Sequence, residues 1–366
     1  MISSLENALL HKVSQADGTS IYEIQSESLS GKYFIVDSPE ARHLMESPEV
    51  VGYDSYLATL PGTAAALDYL RPELEGSHTS ILTILRGGLN YPLEECCHAT
   101  GIQINNINFV SCERIIRDGR ITGLDIKYEK FHVEKDSTLM IGDILASGDT
   151  LRHCMKQVAE RICARGGSLR RIIFFTIGGT KGISLMEEMT RDLRALWPEF
   201  EGFTCFFHEG VFSVYEDHGV TGVNTPDIDF GWQDGIIAPE FRSHILSNPD
   251  ALFEKCIIYD GGARRYEIPA HCEEVVEYWE RLLAVAENAD FKAFLAEKIG
   301  YSFPLEYSGW LAVTKLADSE EARLLYAKEQ SFIDRTLQER TLVEVCGKRL
   351  SDFRRNMSRY MDNTNK

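Results

Sequence analysis

From about residue 80 the chain alternates short apolar runs with stretches of helical spacing. Residues 80–85, 104–111, 138–141, 171–177 and 202–208 are apolar runs of strand length bounded by turn residues, and each predicts a buried strand. Between them, residues 89–100 suit a helix that ends before Gly101. From Thr150, the positions Leu151, Cys154, Met155, Val158 and Ile162 fall on one helical face, and Gly166-Gly167 closes that helix. Strands alternating with helices predict an α/β fold with a mostly parallel sheet flanked by helices. The polar stretch 112–134 separates the second and third strands of this series. Upstream, residues 32–36 read as a short strand, Ser38-Pro39 as a helix start, and residues 64–74 as a helix. Beyond residue 239 the pattern changes. Residues 257–268, around Asp260-Gly261-Gly262, suggest a hairpin, and from Glu273 onward successive amphipathic helices follow, with Trp279 in their core. The expected organisation is a mixed N-terminal segment at 1–75 packing on the core, an α/β core at 76–240, and a mainly helical C-terminal appendage at 241–366.

Composition narrows the function classes. Of 366 residues, 44% are hydrophobic and 26% charged, the balance of a soluble globular chain. Lys and Arg number 38 against 56 Asp and Glu, a net charge of −18. Such an acidic surface argues against nucleic acid as a partner, because binding it needs basic patches against phosphates. A local basic site for a small phosphorylated ligand stays open. The nine cysteines include no Cys-x-x-Cys pair and are odd in number, so neither a disulfide framework nor a zinc ribbon is expected. The first residues lack a basic head followed by an apolar stretch, and no run approaches the roughly 18 apolar residues of a membrane span. The expectation is a cytoplasmic protein without a membrane partner. Self-association into a homo-oligomer stays open.

The segment that carries chemistry is Thr138-Leu-Met-Ile-Gly-Asp-Ile-Leu-Ala-Ser-Gly-Asp-Thr150. A strand runs out to Asp143, and the small turn Ala146-Ser147-Gly148 leads into a helix through Asp149 and Thr150. Such a turn can aim backbone N–H groups and a helix N-terminus at one phosphate. The hydroxyls of Ser147 and Thr150 add donors, and the Asp143 carboxylate can accept from sugar hydroxyls. Ligands of open α/β sheets gather beyond the carboxyl ends of the strands, where this turn falls. The plainer reading is a strand–turn–helix with Ser147 or Asp149 as N-cap. One strand–helix unit earlier, Ile84-Leu-Arg-Gly-Gly-Leu89 also follows a strand. There Gly87 and Gly88 permit close approach of the backbone to a ligand, and Arg86 supplies a cation.

These segments, in this order, resemble type I phosphoribosyltransferases. The stretch 138–150 is similar to that family's 13-residue signature of four apolar, two acidic and two apolar residues followed by small-small-Gly-x-Thr. The departure is Gly142, where the family usually has its first acid. The resemblance implies a type I phosphoribosyltransferase-like fold that binds 5-phosphoribosyl-1-pyrophosphate (PRPP) and moves its phosphoribosyl group to a base. Arg86, Gly87 and Gly88 would hold pyrophosphate, Asp143 the ribose, and Ala146, Ser147, Gly148, Asp149 and Thr150 the 5′-phosphate. Asp143 and Arg86 are the catalytic candidates, with Mg²⁺ as cofactor approached indirectly by Asp143. Residues 84–89, 145–148 and 128–131 bring the chain closest to the uracil phosphoribosyltransferase branch, hence a pyrimidine-like acceptor. The 6-oxopurine branch carries an acid where Ala146 stands. The hood that reads uracil would fall at residues 225–240, and its motif is absent there. In this family a mobile loop closes over the substrate, which makes Arg114, Arg117 and Lys130 candidate lid cations; a solvated hairpin turning at Asp118-Gly119 explains them equally well.

Other signals are weaker. Gly178-Gly-Thr-Lys-Gly182 lacks P-loop spacing and reads as a strand–helix connection, with its glycines also placed to line a base pocket. His208 and His218 are isolated, and the basic stretch 348–359 reads as a solvated helix face. Two further functions remain in view: a non-catalytic sensor of PRPP or a nucleotide, and a phosphoribosyltransferase of specialised metabolism with an unusual acceptor.

Overall fold

The computed structural model describes residues 5, 7–74, 78–85, 87–117, 120–146, 148–215, 219–223, 229–255 and 261–361. They form two compact units. The first takes in residues up to Ser38 and from Thr59 to His208; the second takes in Pro39–Ala58 and everything from Glu209. These divisions do not coincide with the expected ones at 75/76 and 240/241. The N-terminal strands belong to the α/β unit itself, and the last strand pair belongs with the C-terminal helices.

The chain opens with β1 (Leu9–Ala16), β2 (Thr19–Gln25) and β3 (Lys32–Asp37), then passes through α1 (Pro39–Glu46) and α2 (Tyr53–Leu57) of the second unit. The first unit resumes with α3 (Leu60–Leu74), β4 (His78–Leu85), a 3₁₀ turn at Gly87–Asn90, α4 (Leu93–Thr100), β5 (Asn106–Arg117) and β6 (Arg120–Lys130). It continues through β7 (Ser137–Gly142), α5 (Asp149–Ala164), β8 (Leu169–Gly179), α6 (Thr180–Leu196) and the first half of β9 (Gly202–Tyr215). The strand order is β1-β2-β3-β9-β8-β7-β4-β5-β6. β4 runs parallel to both β5 and β7, β7 is parallel to β8, and β3 is parallel to β9. Antiparallel pairs lie at the margins, β1 with β2, β2 with β3, and β5 with β6.

Chain order and spatial order together locate the site. The strands β4, β5, β7, β8 and β9 stand in space as β5-β4-β7-β8-β9. The chain first steps one way, from β4 to β5, and then progresses the other way from β7. Order therefore reverses between β4 and β7, the place where loops diverge and leave a crevice at the strand ends. The layers follow from the pleat, which sends alternate side chains to opposite faces. Ile81, Met140, Ile173 and Phe206 share a buried cluster with Leu67 and Leu70 of α3 and Cys97 of α4. The residues between them, such as Leu82, Leu139, Ile141 and Phe174, are also fully buried, and so are Cys154 and Val158 on the predicted inner face of α5.

The expected helix at 89–100 is shorter than its pattern suggested. The 3₁₀ turn takes up its first residues, and α4 starts only after Pro92, which lacks an N–H to donate into a continuous helix.

The second unit pairs β10 (Asp229–Ile237) antiparallel with the far half of β9 and adds α7 (Pro239–Ser247), α8 (Gly261–Tyr266), α9 (Ile268–Val285), α10 (Phe291–Ile299), α11 (Tyr307–Thr314), α12 (Glu320–Glu339) and α13 (Leu342–Met361). The hairpin expected at 257–268 is not what forms: α8 and the start of α9 occupy its described part, and residues 257–260 lie outside the described set. Trp279 and Trp310 are completely buried, as expected of a helical core. The fully buried Glu329 carboxylate takes Arg242 at 2.8 Å and the Trp310 indole N–H at 2.9 Å, and also accepts from the Tyr301 hydroxyl. In the basic stretch, Arg349 is largely buried against Glu49 and Glu254, while Lys348 pairs with Asp250 at 2.6 Å. Part of that stretch is thus structural, not a solvated face. No described helix is long and apolar enough to cross a membrane.

Candidate functional site

The two segments singled out in the sequence emerge side by side at the switch point. After β4, Gly87 and Gly88 lie in the 3₁₀ turn, held by Asn90, whose side-chain amide donates to the Gly87 carbonyl at 3.1 Å. Asp143 follows β7. The Gly87 backbone lies against its carboxylate so closely that a Cβ on residue 87 would fall 2.9 Å from Asp143 Cγ and nearer still to Oδ1. Gly88 is similarly confined, with the Gly142 carbonyl oxygen and Thr83 Cγ2 each 3.2 Å from where its Cβ would be. A side chain at 87 would have to displace the Asp143 carboxylate, and one at 88 would press on β7 and Thr83, because one turn rests on the other.

Past Gly142 the chain keeps its hold on β8. Asp143 N–H donates to the Phe175 carbonyl at 3.1 Å, Leu145 N–H to Ile177 at 3.2 Å, and Gly179 N–H back to Leu145 at 2.8 Å. Asp143 Oδ1 accepts the N–H of Ile144 at 2.8 Å, which fixes the carboxylate against its own backbone. Leu145 is fully buried over Gly178 and Gly182: a Cβ at 178 would meet the Leu145 carbonyl at 2.9 Å, and one at 182 would meet Leu145 Cγ at 2.6 Å. These glycines are therefore packed closely beneath the turn.

The turn then delivers the chain to α5. Ala146 is buried, and Gly148 stands as N-cap with φ +79°, a left-handed conformation natural to glycine. Gly148, as the N-cap residue, supplies no side-chain cap, and Arg152 N–H bonds the Gly148 carbonyl at 2.9 Å. The amides of the first turn have no intrahelical acceptor, which gives α5 a positive end that follows Asp143 closely along the chain. Thr150 is half-buried in that first turn.

Sequence reasoning missed Tyr91. Its ring fills the space beside Gly142, with Tyr91 Cγ 2.6 Å and Cδ2 3.0 Å from where a residue-142 Cβ would be. The Tyr91 hydroxyl accepts the Ile177 N–H at 2.8 Å. Burial and the Asp143 charge hold the phenol far above its ordinary range, so it is neutral, while the Ile177 N–H works in the opposite direction. Gly142 and the Tyr91 ring are thus matched in space, and a side chain at residue 142 would require the ring to move. Tyr91 carried no sequence signal, because it belongs to neither motif.

His208, at the end of the first unit's share of β9, is fully buried with Nε2 3.3 Å from Thr63 Oγ1, and Nδ1 has no hydrogen-bond partner among the described residues. Burial lowers it to about 4, so it is neutral. The stretch 112–134 is largely a long antiparallel hairpin, β5 with β6, and its β6 strand is clasped to α5. Glu129 takes Arg165 at 2.7 Å and also pairs with Arg161, and the Gln157 side chain donates to the Leu124 carbonyl at 2.7 Å. Lys130 is exposed at the end of β6.

Of the expected site residues, the structure brings Gly87, Gly88 and Asp143 together and carries Ala146, Gly148 and Thr150 on from Asp143. Arg86, Ser147 and His218 lie outside the described residues, as do the turn at 118–119, residues 225–228 of the expected hood, and the side chains of Arg114, Arg117 and Asp149. No cluster of three or more metal-ligating side chains occurs among the described residues.

Compared by sequence, the chain matches no family model and no curated protein. Compared by structure, it is similar to a hypoxanthine phosphoribosyltransferase from Staphylococcus aureus, with 15% identity over 44% of this chain and 77% of that one at a TM-score of 0.28. It is similar to an adenine phosphoribosyltransferase from Leishmania tarentolae, with 16% identity over 56% and 85% of the two chains at a TM-score of 0.29. It is also similar to the AQ2163 protein from Aquifex aeolicus, with 14% identity over 47% and 85% at a TM-score of 0.30. Likeness at this level does not assign the chain to a family.

Proposed function

We propose that the first unit binds PRPP at the β4–β7 switch point and transfers its phosphoribosyl group to a ring nitrogen of a base, releasing pyrophosphate. The observation that carries this is the abutment of Gly87 on Asp143, with the N-terminus of α5, entered through the left-handed Gly148, next along the chain. One sugar carrying a phosphate at one end and a pyrophosphate at the other is a ligand that two anion-binding turns with a carboxylate between them would suit. The N-terminal amides of α5, Gly148 and the Thr150 hydroxyl would take the 5′-phosphate, and Ala146 and Ser147 would shape that turn. Asp143 would accept from the ribose hydroxyls. The amides at Gly87 and Gly88, with Arg86, would take the pyrophosphate.

In the reaction the C1′–O bond to pyrophosphate breaks and a C1′–N bond to the base forms. Positive charge develops on the ribose, and the nearby Asp143 carboxylate favours it electrostatically. The chain's other contribution is orientation of the two reactants. Mg²⁺ suits this site on its chemistry: a hard ion held mainly by substrate oxygens needs few protein ligands, and Asp143 is the carboxylate within reach, directly or through water. When bound, the ion would offset the charge of the leaving pyrophosphate. The β5–β6 hairpin, with Arg114, Arg117 and Lys130, would act as the lid. Ala146 offers no acid for an oxopurine, which favours a pyrimidine-like acceptor.

Gly142 in the place of the first acid, with Tyr91 packed against it, supports a second reading, a sensor that binds PRPP or a nucleotide without turnover. An enzyme of specialised metabolism would use the same site with another acceptor. The experiment is titration with PRPP and Mg²⁺, then pyrophosphate release across a panel of bases. Binding with release supports transfer, binding without release on any base supports the sensor, and no binding rejects both.

A further inference from the structure

Outside the phosphate turns, one pair of side chains has chemistry that the proposed transfer does not use. Cys112 lies on β5 just beyond Ser111, the last residue to pair with β4, at a register shift where the strand leaves the parallel sheet and enters the hairpin. Cys154 lies on α5, the helix whose N-terminus follows the Ala146–Gly148 turn. The two sulfurs are 3.6 Å apart. Cys154 is fully buried, and Cys112 is partly exposed.

We infer that Cys112 and Cys154 form a reversible disulfide site, which links the β5–β6 hairpin covalently to α5 under oxidising conditions. The contact needs to close by only about 1.5 Å to reach the S–S bond length of about 2.05 Å.

The two thiols divide the work. The Cys154 hydrogen bond and the Arg161 charge pull the Cys112 thiol below its ordinary value, against burial and the Asp143 charge. Cys154 is pushed far up by the same hydrogen bond and by burial. Burial pushes Cys96, Cys97 and Cys346 up to about 12 and Cys272 up to about 11. Cys112 is thus favoured as the attacking thiolate and Cys154 as the resolving thiol. The oxidant is a hydroperoxide. The Cys112 thiolate attacks its O–O bond, giving the Cys112 sulfenic acid and, with hydrogen peroxide, hydroxide. The Cys154 thiol gives up its proton and attacks the Cys112 sulfur, and the expelled hydroxide leaves as water. In sum, two thiols and one hydrogen peroxide become one disulfide and two waters.

The bond would fix the hairpin on the flank of α5, where Gln157 and Arg161 already hold it. Any effect on PRPP binding rests on the phosphate-turn reading above. Formation of the bond does not, and is tested separately.

The test treats the full chain, first reduced, with stepwise hydrogen peroxide, then alkylates the remaining thiols and maps the peptides. The expected result is a Cys112–Cys154 cross-linked peptide, loss of that pair of alkylatable thiols and two hydrogen masses, and full return on reduction with dithiothreitol. Cys154→Ser is expected to leave a Cys112 sulfenic acid that a dimedone probe captures; Cys112→Ala is expected to leave Cys154 unoxidised at the same dose. A second readout uses the unmodified sequence and does not depend on either variant folding. Amide exchange across residues 120–130 slows on oxidation and recovers on reduction. The inference is overturned if Cys112 and Cys154 both remain alkylatable at a dose that oxidises the exposed Cys163, or if Cys112 is found joined to another cysteine.

Discussion

Gly87 and Asp143 are in direct contact across the two turns: a Cβ on residue 87 would fall 2.9 Å from the Asp143 Cγ. Gly87→Ala therefore has to move the carboxylate, the turn, or both. Displacements of about 1 Å at a reacting centre cost on the order of 10²-fold in rate. Gly87→Ala is expected to lower turnover by about that factor while the α/β unit stays folded, as read by pyrophosphate release and circular dichroism on one preparation. Wild-type turnover in a folded Gly87→Ala protein would show that the contact has no part in the chemistry.

Tyr91 and Gly142 form a second matched pair. Gly142→Ala places a methyl group inside the Tyr91 ring contact, and overpacking of this kind costs about 1–3 kcal/mol. Tyr91→Phe keeps the ring but strips the Ile177 N–H of its acceptor, and a buried donor left unsatisfied costs about 1–3 kcal/mol. Urea unfolding of both variants checks these values. Introducing Gly142→Asp into a Tyr91→Ala background should be less damaging than the two changes added together, because Tyr91→Ala vacates the space the new side chain needs. Strict additivity would mean that the ring and residue 142 do not compete for that space.

Two buried histidines set a pH dependence. His208 is lowered to about 4 by burial, and His271 to about 3 by burial and the Arg264 charge, both from an ordinary value of 6.5. Unfolded, each takes up a proton as pH falls through 6.5. Folded, each stays neutral until its own lower value. The unfolded chain therefore binds more protons in this window, and stability falls as pH falls, by up to about 1.4 kcal/mol per pH unit for each group, while above the window these groups contribute no slope. Denaturant unfolding at a series of pH values should show this loss between roughly pH 6.5 and 4, and His208→Gln should reduce it. An unchanged slope in a folded His208→Gln variant would remove His208 as a source.

Turnover should require Mg²⁺ or Mn²⁺, because the departing pyrophosphate otherwise keeps its full charge. Excess chelator is expected to stop pyrophosphate release, and the added metal to restore it. Undiminished turnover in chelator would exclude metal-assisted departure.

Periodicity alone made most of the α/β core legible. The five core strands and the amphipathic α5 fall where the apolar runs place them, because each is buried on both faces or along one stripe. β1 was not legible, since its residues are mostly exposed and do not alternate, although Asp17-Gly18, both at positive φ, makes the turn that pairs it with β2. The unit boundaries were not legible either, because α1 and α2 return to helices more than two hundred residues later: Arg264 donates to the carbonyls of Leu44 at 3.0 Å and Val50 at 2.6 Å, contacts that leave no local pattern. At the site, both turns could be read from their glycines, but the partner of each glycine could not. Gly148→Val, a change in the Ala146–Gly148 turn, is a case in point. In the structure its side chain would run into Leu185 from a left-handed backbone, so it would disturb α6 as well.

The most direct test compares wild type and Asp143→Asn for pyrophosphate release and PRPP affinity on the same preparations. Asn keeps the size and some hydrogen bonding but removes the charge that matters most when the ribose becomes cationic. Wild type should release pyrophosphate with at least one base, and Asp143→Asn should be slower on the order of 10²-fold with far less change in affinity. Equal turnover in the two proteins, or PRPP binding by wild type without release on any base, would contradict a transferase that works through Asp143.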